Sequence, residues 1–270
     1  MKILCVIVLY KSSLFDAASY KECIRFYREE VDIGIFVYDN SPVAMHSIKE
    51  MESQRIKYVH DEHNSGVSKA YNCGADYAKS KQFDWILLLD QDTHFPRALI
   101  DNIRTAYRKN STLNLIIPNI KYKDSLPFSP VKRCLFRNYP ISLQEGIYSL
   151  ANYLPVNSGS CIKLDCYRKV GGYNPRIRLD FSDFDFFSRL SVVSTDFYIM
   201  NVTVFQSFSN EETDEEKLKY RFRLYIESGK EAMKNKLIRR SSLYGMVRHS
   251  LALSIRTKNL FFVKYLIKNI

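Results

Sequence analysis

Apolar runs and helical repeats alternate along the first 118 residues of the chain. Runs of strand length, apolar enough to be buried on both faces, occur at 2–10, 33–39, 84–90 and 113–118, with a shorter one at 56–61. Between them, apolar residues recur at helical spacing in 18–30, 65–80 and 95–110. Strands that alternate with helices over short connections predict a doubly wound, mostly parallel α/β sheet.

The pattern is less regular beyond residue 118. Residues 119–150 contain three prolines and several basic side chains, which predicts a long loop or an insert. Residues 153–174 predict a strand, a helix and a glycine turn, and the chain after Asp214 predicts two helices that separate near 239–242.

Acidic side chains follow two of the predicted strands directly. In doubly wound sheets, ligands bind beyond the carboxyl ends of the strands. Asp39 ends the second strand; it can serve a turn, or it can accept hydrogen bonds from a nucleobase or ribose. Asp90 and Asp92 follow the strand at 84–90 with one residue between them. Such a pair can also be a turn, but at a strand end it can hold Mg²⁺ or Mn²⁺ and, through the cation, a diphosphate.

A third acidic cluster lies among aromatic residues. Asp180, Asp183 and Asp185 alternate with phenylalanines in the segment LDFSDFDFF. A carboxylate beside apolar rings has a raised proton affinity, which suits a general base. These residues therefore predict proton chemistry separate from the Asp90–Asp92 pair.

The positive charge of the chain is confined to its last fifth. The net charge is +11, yet residues 217–270 hold 14 Lys/Arg and 2 Asp/Glu, against 26 and 27 in the rest of the chain. Apolar and basic residues alternate there at helical spacing, which predicts either a helical cap on the sheet or an interfacial helix on anionic lipid. No nucleic-acid recognition motif accompanies the charge. The six cysteines lack CxxC spacing and are expected to be reduced thiols of a cytosolic protein.

Five segments, in this order, resemble the motifs of the family 2 glycosyltransferases with the GT-A fold, and within them the bacterial rhamnosyltransferase-like branch. They are VIVLYKS, VYDNS, HNSGVSKAYNCGADYA, DWILLLDQDT and NSGSCIKLDCYRKVGGYNPRIRLDFSDFDFFSRL. The resemblance covers about residues 2–208. It implies a GT-A domain at 1–210, with a nucleotide-sugar-binding half (1–118) and an acceptor-binding half (119–210), followed by a basic helical extension at 211–270.

The resemblance also implies roles for individual residues. The donor nucleotide sugar would be bound by Tyr10, Asp39, Lys69, Asn72 and Asp90. Asp92 would be the main ligand of a divalent cation, Mg²⁺ or Mn²⁺, with Asp90 as its neighbour.

On the acceptor side, Asp183 would be the catalytic base, and Asp180 and Asp185 would contact the acceptor. The chain departs from the family at Lys11, where Asn is frequent, at Ser182, where other members have Glu, and at Gln206, where many members have a His. The last departure would weaken metal binding.

The implied activity is inverting, metal-dependent transfer of a sugar from dTDP-rhamnose or a UDP-hexose to a glycan or lipid-linked acceptor, in the synthesis of a bacterial surface polysaccharide. The protein would lie in the cytoplasm, on the inner face of the plasma membrane. Two alternatives remain open. A nucleotidyltransferase would need a basic, glycine-rich loop after the first strand, which YKSSLFDAA is not. A non-catalytic nucleotide-sugar-binding protein at the membrane is the other alternative.

Overall fold

The structure is a computed structural model that describes residues 1–29, 32–96, 98–122, 125–206 and 214–270. Strands and helices alternate in the amino-terminal half as the hydrophobic pattern predicts. The elements are β1 (Ile3–Leu9), α1 (Ala18–Glu29), β2 (Ile33–Asp39), α2 (Ile48–Ser53), β3 (Lys57–His60), α3 (Val67–Ser80), β4 (Trp85–Asp90), β5 (Thr93–His94), α4 (Leu99–Lys109) and β6 (Leu115–Tyr122).

The second half is built from shorter strands. They are β7 (Leu126–Ser129), β8 (Val131–Lys132), β9 (Tyr139–Pro140), β10 (Gly146–Ser149), β11 (Tyr153–Leu154), β12 (Cys161–Lys163) and β13 (Asp196–Gln206), with helices α5 (Leu164–Lys169) and α6 (Ser182–Leu190) before β13. The prediction of a loop or insert at 119–150 is thus wrong in detail, because four short strands lie there. Each of these strands has only two to four residues, so the hydrophobic pattern does not reveal them.

One large sheet organises the molecule, and its main path runs β10-β13-β6-β12-β4-β1-β2-β3. Strands β3, β2, β1 and β4 are parallel, as are β6 and β13, while β12 enters antiparallel between β4 and β6. Buried clusters cover both faces of this sheet. The mostly parallel α/β sheet with flanking helices, expected from the sequence, is confirmed.

The C-terminal extension is helical, but it has three helices where the pattern predicts two. They are α7 (Glu215–Ala232), α8 (Arg239–Thr257) and α9 (Phe261–Asn269). The left-handed residue Lys258 ends α8, which explains the extra break. Their shared core packs against Phe181, whose ring centroid lies 4.9 Å from that of Tyr225. The extension therefore contacts the segment that precedes α6.

Candidate active site

The two acidic strand ends lie on either side of β1. In the parallel register, Asp39 pairs with Leu9 on one side of β1 and Asp90 pairs with Val8 on the other. Because neighbouring strands are about 4.8 Å apart, these carboxylates emerge roughly 10 Å apart at one edge of the sheet. The structure thus brings the residues predicted for the donor and the metal to a common edge.

Gln91, the residue between the two aspartates, joins the ends of β4 and β1. Its Oε1 accepts a hydrogen bond from the Tyr10 amide at 2.8 Å, and its Nε2 donates to the Tyr10 carbonyl at 3.3 Å. The Gln91 carbonyl also accepts from the amide of Ala18 at 2.9 Å. Gln91 therefore fixes the loop after β1, where the Tyr10 ring is exposed. Sequence analysis missed this role.

Asp90 is held by two hydroxyl groups. Its Oδ1 accepts from Tyr71 at 2.9 Å, and its Oδ2 accepts from Ser158. Burial raises the pKa of Asp90, against the effect of these two hydrogen bonds. Neither hydroxyl was predicted: Tyr71 reads as a core position of α3, and Ser158 as part of a turn. The NSGS motif was the available signal, because a polar run among apolar strands is unusual.

Asp92 lies in a more strained electrostatic setting. Burial, followed by the negative charge of Asp90, raises the pKa of Asp92 to about 6, while a hydrogen bond with the Gln206 side chain opposes this shift. Gln206 reaches this position because it pairs with Thr93 across β5 and β13. The two carboxylates thus repel each other in a poorly solvated place.

This donor set suits a cation that keeps other ligands of its own. Among the residues that the structure describes, no three His, Cys, Asp or Glu side chains cluster as a metal centre. Two carboxylates are nevertheless a usual protein contribution to Mg²⁺ or Mn²⁺, with waters and substrate phosphates completing the shell. Asp92 and Asp90 would hold such an ion, since it would relieve the repulsion recorded in the pKa of Asp92.

Asp39 is fully buried at the end of β2. Its Oδ1 accepts from the amide of Ser41 at 2.9 Å, and its Oδ2 accepts from the amide of Met45 at 2.9 Å and the hydroxyl of Tyr58 at 2.5 Å. Burial alone would raise the pKa of Asp39, but these hydrogen bonds together lower it. The carboxylate is therefore ionised and organises the turn after β2, as the alternative turn interpretation predicts.

Asp183 lies in the first turn of α6, directly after the left-handed residue Phe181 and Ser182. Burial, and then the charges of Asp180 and Asp90, raise the pKa of Asp183 to about 7, while the Phe184 amide opposes the shift. That amide donates to Oδ1 at 2.8 Å. No donor among the described residues contacts Oδ2, so this oxygen is available to a substrate.

Asp183 and Asp90 belong to one site. Burial, and then the charge of Asp90, raises the pKa of the Tyr71 hydroxyl, and the charge of Asp183 adds to this. Burial also raises the pKa of the Tyr173 hydroxyl, and the charges of Asp183 and Asp90 both add to this shift. The base predicted on the acceptor side therefore lies close to the acidic pair, although about ninety residues separate them in the chain.

The other two aspartates of this cluster are paired. Asp180 forms an ion pair with Arg221 of α7 at 2.9 Å. Asp185 is 3% exposed; Arg189 contacts its Oδ2 at 2.8 Å, and Asn235 donates to its Oδ1 at 3.0 Å. Both oxygens of Asp185 are thus engaged within the protein. This geometry supports a structural role, and nothing in it supports the acceptor contact predicted for Asp185.

The two positions of α3 predicted to line the nucleotide site differ in their contacts. Lys69 is exposed, and its charge acts on Cys73 one turn later. Asn72 holds the turn after α5: its Oδ1 accepts from the Tyr167 hydroxyl at 2.6 Å and from the Tyr173 amide at 2.9 Å, and its Nδ2 donates to the Tyr173 carbonyl at 2.8 Å. The amide of Asn72 therefore faces residues 167–173.

The amino terminus of α3 contacts the segment directly before α6. The amide of Val67 donates to the carbonyl of Arg178 at 2.8 Å, and the Ser68 hydroxyl donates to the carbonyl of Ile177 at 2.5 Å. Gly66 has φ +91°, and a Cβ there would lie 2.2 Å from the Arg178 oxygen. Only glycine allows this approach.

Comparison with solved structures shows the same fold. The structure of GalNAc-T7 with UDP, GalNAc and Mn²⁺ matches with a TM-score of 0.60 and 13% identity over 83% of this chain and 47% of that one. The structure of S. aureus TarS 1-349 in complex with UDP matches with a TM-score of 0.59 and 11% identity over 87% of this chain and 66% of that one. The chain thus spans less than two thirds of the length of each of these structures.

Curated proteins and family models give different results. No curated protein matches the sequence. The model of Glycosyl transferase family 2 matches residues 16–164, which is more than half of the chain and includes Asp39, Asp90, Asp92 and Ser158. On this match, and with the fold that its solved neighbours share, the chain belongs to glycosyltransferase family 2.

Proposed function

We propose that this protein transfers a sugar from a nucleotide-diphosphate sugar to a hydroxyl group of an acceptor, with inversion at the anomeric carbon. Family membership supports the reaction class. The observation that carries the proposal is the position of Asp183, a carboxylate with a pKa of about 7 and a free oxygen, beside the Asp90–Asp92 pair.

The proposed chemistry assigns one task to each group. Asp183 accepts the proton of the acceptor hydroxyl, and the oxygen forms a bond to the anomeric carbon. The bond from that carbon to the diphosphate breaks, and its electron pair leaves with the diphosphate. A base with a pKa near 7 suits proton transfer at neutral pH. A divalent cation held by Asp92 and Asp90 would neutralise charge on the leaving group.

The two halves of residues 1–210 divide the substrates in this proposal. Residues 1–118 would hold the donor at the edge formed by β1, β2 and β4, with Asp39 and Tyr10 on the nucleotide side. Residues 119–210 would hold the acceptor around Asp183 and Asp180. We also propose Lys69 and Asn72 as residues of the nucleotide site. Their position on α3 is the support for this role.

The donor is proposed to be dTDP-rhamnose or a UDP-hexose, and the acceptor a glycan or lipid-linked saccharide of a bacterial surface polysaccharide. Two solved neighbours, GalNAc-T7 and TarS, carry UDP in their structures, which supports a nucleotide-sugar donor. We place the protein on the inner face of the plasma membrane. Within the described residues, no helix is long and apolar enough to cross a membrane.

A donor panel tests the proposal. The full chain is incubated with each nucleotide sugar, an acceptor mixture and Mn²⁺, and released nucleoside diphosphate is measured. We expect one donor to give release of nucleoside diphosphate, and we expect the acceptor to increase the rate of this release. Donor binding in a thermal-shift assay without any release across the panel would instead support the non-catalytic alternative. Release of pyrophosphate from a nucleoside triphosphate and a sugar phosphate would support the nucleotidyltransferase.

A further inference from the structure

A cleft of about 720 Å³ lies away from the catalytic edge, between the small sheet β11-β8-β9 and the loop from α7 to α8. Four cationic side chains line it: Arg133, Lys236, Arg239 and Arg240. Its other lining residues are uncharged, and none is acidic. Ser191, directly after α6, is one of them, so the cleft and Asp183 are at opposite ends of this helix.

The positive charges in this cleft are not neutralised by the protein. Arg133 donates to the carbonyls of Leu150 and Leu237 at 3.0 and 3.1 Å, and burial lowers the pKa of its guanidinium. Arg239 donates to the carbonyl of Met233 at 2.9 Å. Within the described ranges, none of the four cations has a carboxylate partner. An anion in the cleft would therefore compensate charge that the fold leaves open.

An exposed apolar face begins beside the cleft. Along α8, every fourth residue on one side is apolar and exposed: Leu243 (39%), Val247 (39%), Leu251 (49%) and Ile255 (78%). Arg240 precedes Leu243 by three residues, which places it on the same side of the helix. An apolar helix face bordered by basic residues is the pattern of helices that lie in a membrane interface.

We propose that this surface binds anionic phospholipid, with the lipid phosphate in the cationic cleft and acyl chains against the apolar face of α8. A soluble phosphate would satisfy the four cations alone. It would leave the adjoining apolar face in water, and for this reason we assign the site to lipid. The site serves attachment and is independent of the sugar-transfer chemistry.

Co-sedimentation with vesicles tests the assignment. The full chain is mixed with phosphatidylcholine vesicles, with and without phosphatidylglycerol. A double variant, Lys236→Gln with Arg240→Gln, removes two exposed cleft charges that form no side-chain hydrogen bond or ion pair with the described residues. Each basic group near an anionic membrane raises the binding constant about fivefold, so we expect the affinity of the double variant for anionic vesicles to fall at least tenfold. The matched control, Lys57→Gln with Lys79→Gln, removes two exposed charges that do not line the cleft and should change binding less than twofold.

The apolar face has its own variant, Leu251→Ser with Ile255→Ser, which should also weaken binding to the anionic vesicles. Far-UV circular dichroism and the melting temperature establish that all variants are folded. Equal binding to both vesicle types, binding to neither, or equal losses from both charge pairs would overturn the proposal. A soluble-phosphate site would give a different result. The protein would then bind inorganic phosphate in calorimetry, equally well in the serine variant, and would not bind vesicles.

Discussion

The negative charge of Asp180, three residues before Asp183, adds to burial in raising the pKa of Asp183 to about 7. Asp180 in turn forms an ion pair with Arg221 of the C-terminal extension at 2.9 Å. Asp183, Asp180 and the helix that carries Arg221 all lie outside residues 16–164, the region that the family model matches.

Replacing the base separates catalysis from donor binding. In Asp183→Asn the side chain keeps its size but cannot accept a proton, so we expect the transfer rate to fall by about 10²–10⁴-fold. Donor binding, measured by thermal shift, should persist. Asp165→Asn, an exposed change on α5, is the matched control and should keep full activity. Transfer within tenfold of the unmodified protein would exclude Asp183 as the base.

The pH profile should report this pKa. Asp183 acts as a base only when deprotonated, so transfer should rise with pH through about 7 and level off above it. Asp180→Asn removes a negative charge and should move this rise to lower pH, whereas Arg221→Gln removes a positive charge and should move it to higher pH. Shifts in the same direction for both variants would contradict the electrostatic coupling.

Asp92 should destabilise the metal-free protein at neutral pH. Its folded pKa of about 6 lies above the ordinary value of 3.8, so the folded state is disfavoured once pH rises above about 4 and the unfolded chain ionises first. Asp92→Asn removes this penalty. At pH 7.5 without metal, we expect the free energy of unfolding to rise by about 1 kcal/mol or more, with a higher melting temperature. Near pH 3.5 both should change little.

The same variant should no longer gain stability from Mn²⁺, because its main ligand is lost. Asp101→Asn, exposed on α4, is the control and should behave as the unmodified protein at both pH values. A lower melting temperature for Asp92→Asn at pH 7.5 would show that its charge is not strained.

Gln206 offers a gain-of-binding experiment. It hydrogen-bonds Asp92 and would become a stronger metal ligand as imidazole. We expect Gln206→His to bind Mn²⁺ more tightly, by about tenfold, in a calorimetric titration. Gln206→Ala, which removes the contact without adding a ligand, should not. Equal affinities of the two variants would mean that residue 206 does not reach the ion.

Gly66 and Gly171 form a matched pair for the contact between α3 and the acceptor half. Both have positive φ, +91° and +80°, and the extended ψ of 178° at Gly66 adds backbone strain that alanine would also meet there. Only at Gly66 would the added Cβ meet another group, the Arg178 carbonyl at 2.2 Å. We expect Gly66→Ala to lower the free energy of unfolding by at least about 2 kcal/mol more than Gly171→Ala, measured by denaturant titration. Equal losses of unfolding free energy in the two variants would show that the backbone around Arg178 moves to accommodate the added Cβ at little cost.

The sequence predicts the parts of this fold that depend on local periodicity. The buried runs that became β1, β2 and β4 are continuous and apolar, and Asp39, Asp90 and Asp92 lie where these runs end. The antiparallel insertion of β12 between β4 and β6 has no local signal, because three residues of strand can pair with either neighbour.

The partners of the acidic residues were the least predictable part. Tyr71 has the spacing of a core residue of α3, and only the packing of α3 on β4 brings its hydroxyl to Asp90. Asp185 shares its aromatic surroundings with Asp183, yet Arg189 one turn later on α6 takes up its charge. Burial of a carboxylate thus indicates a base only when no cation lies within reach.

The contacts at the start of α3 hold this helix against residues 177 and 178. The Val67 amide donates to the Arg178 carbonyl and the Ser68 hydroxyl donates to the Ile177 carbonyl, directly before the segment with Asp180 and Asp183. Moving residues 177 and 178 away from α3 would break both hydrogen bonds, which lie in the first turn of this helix. In the proposed reaction, substrates would therefore have to enter and leave without a separation of α3 from residues 177 and 178.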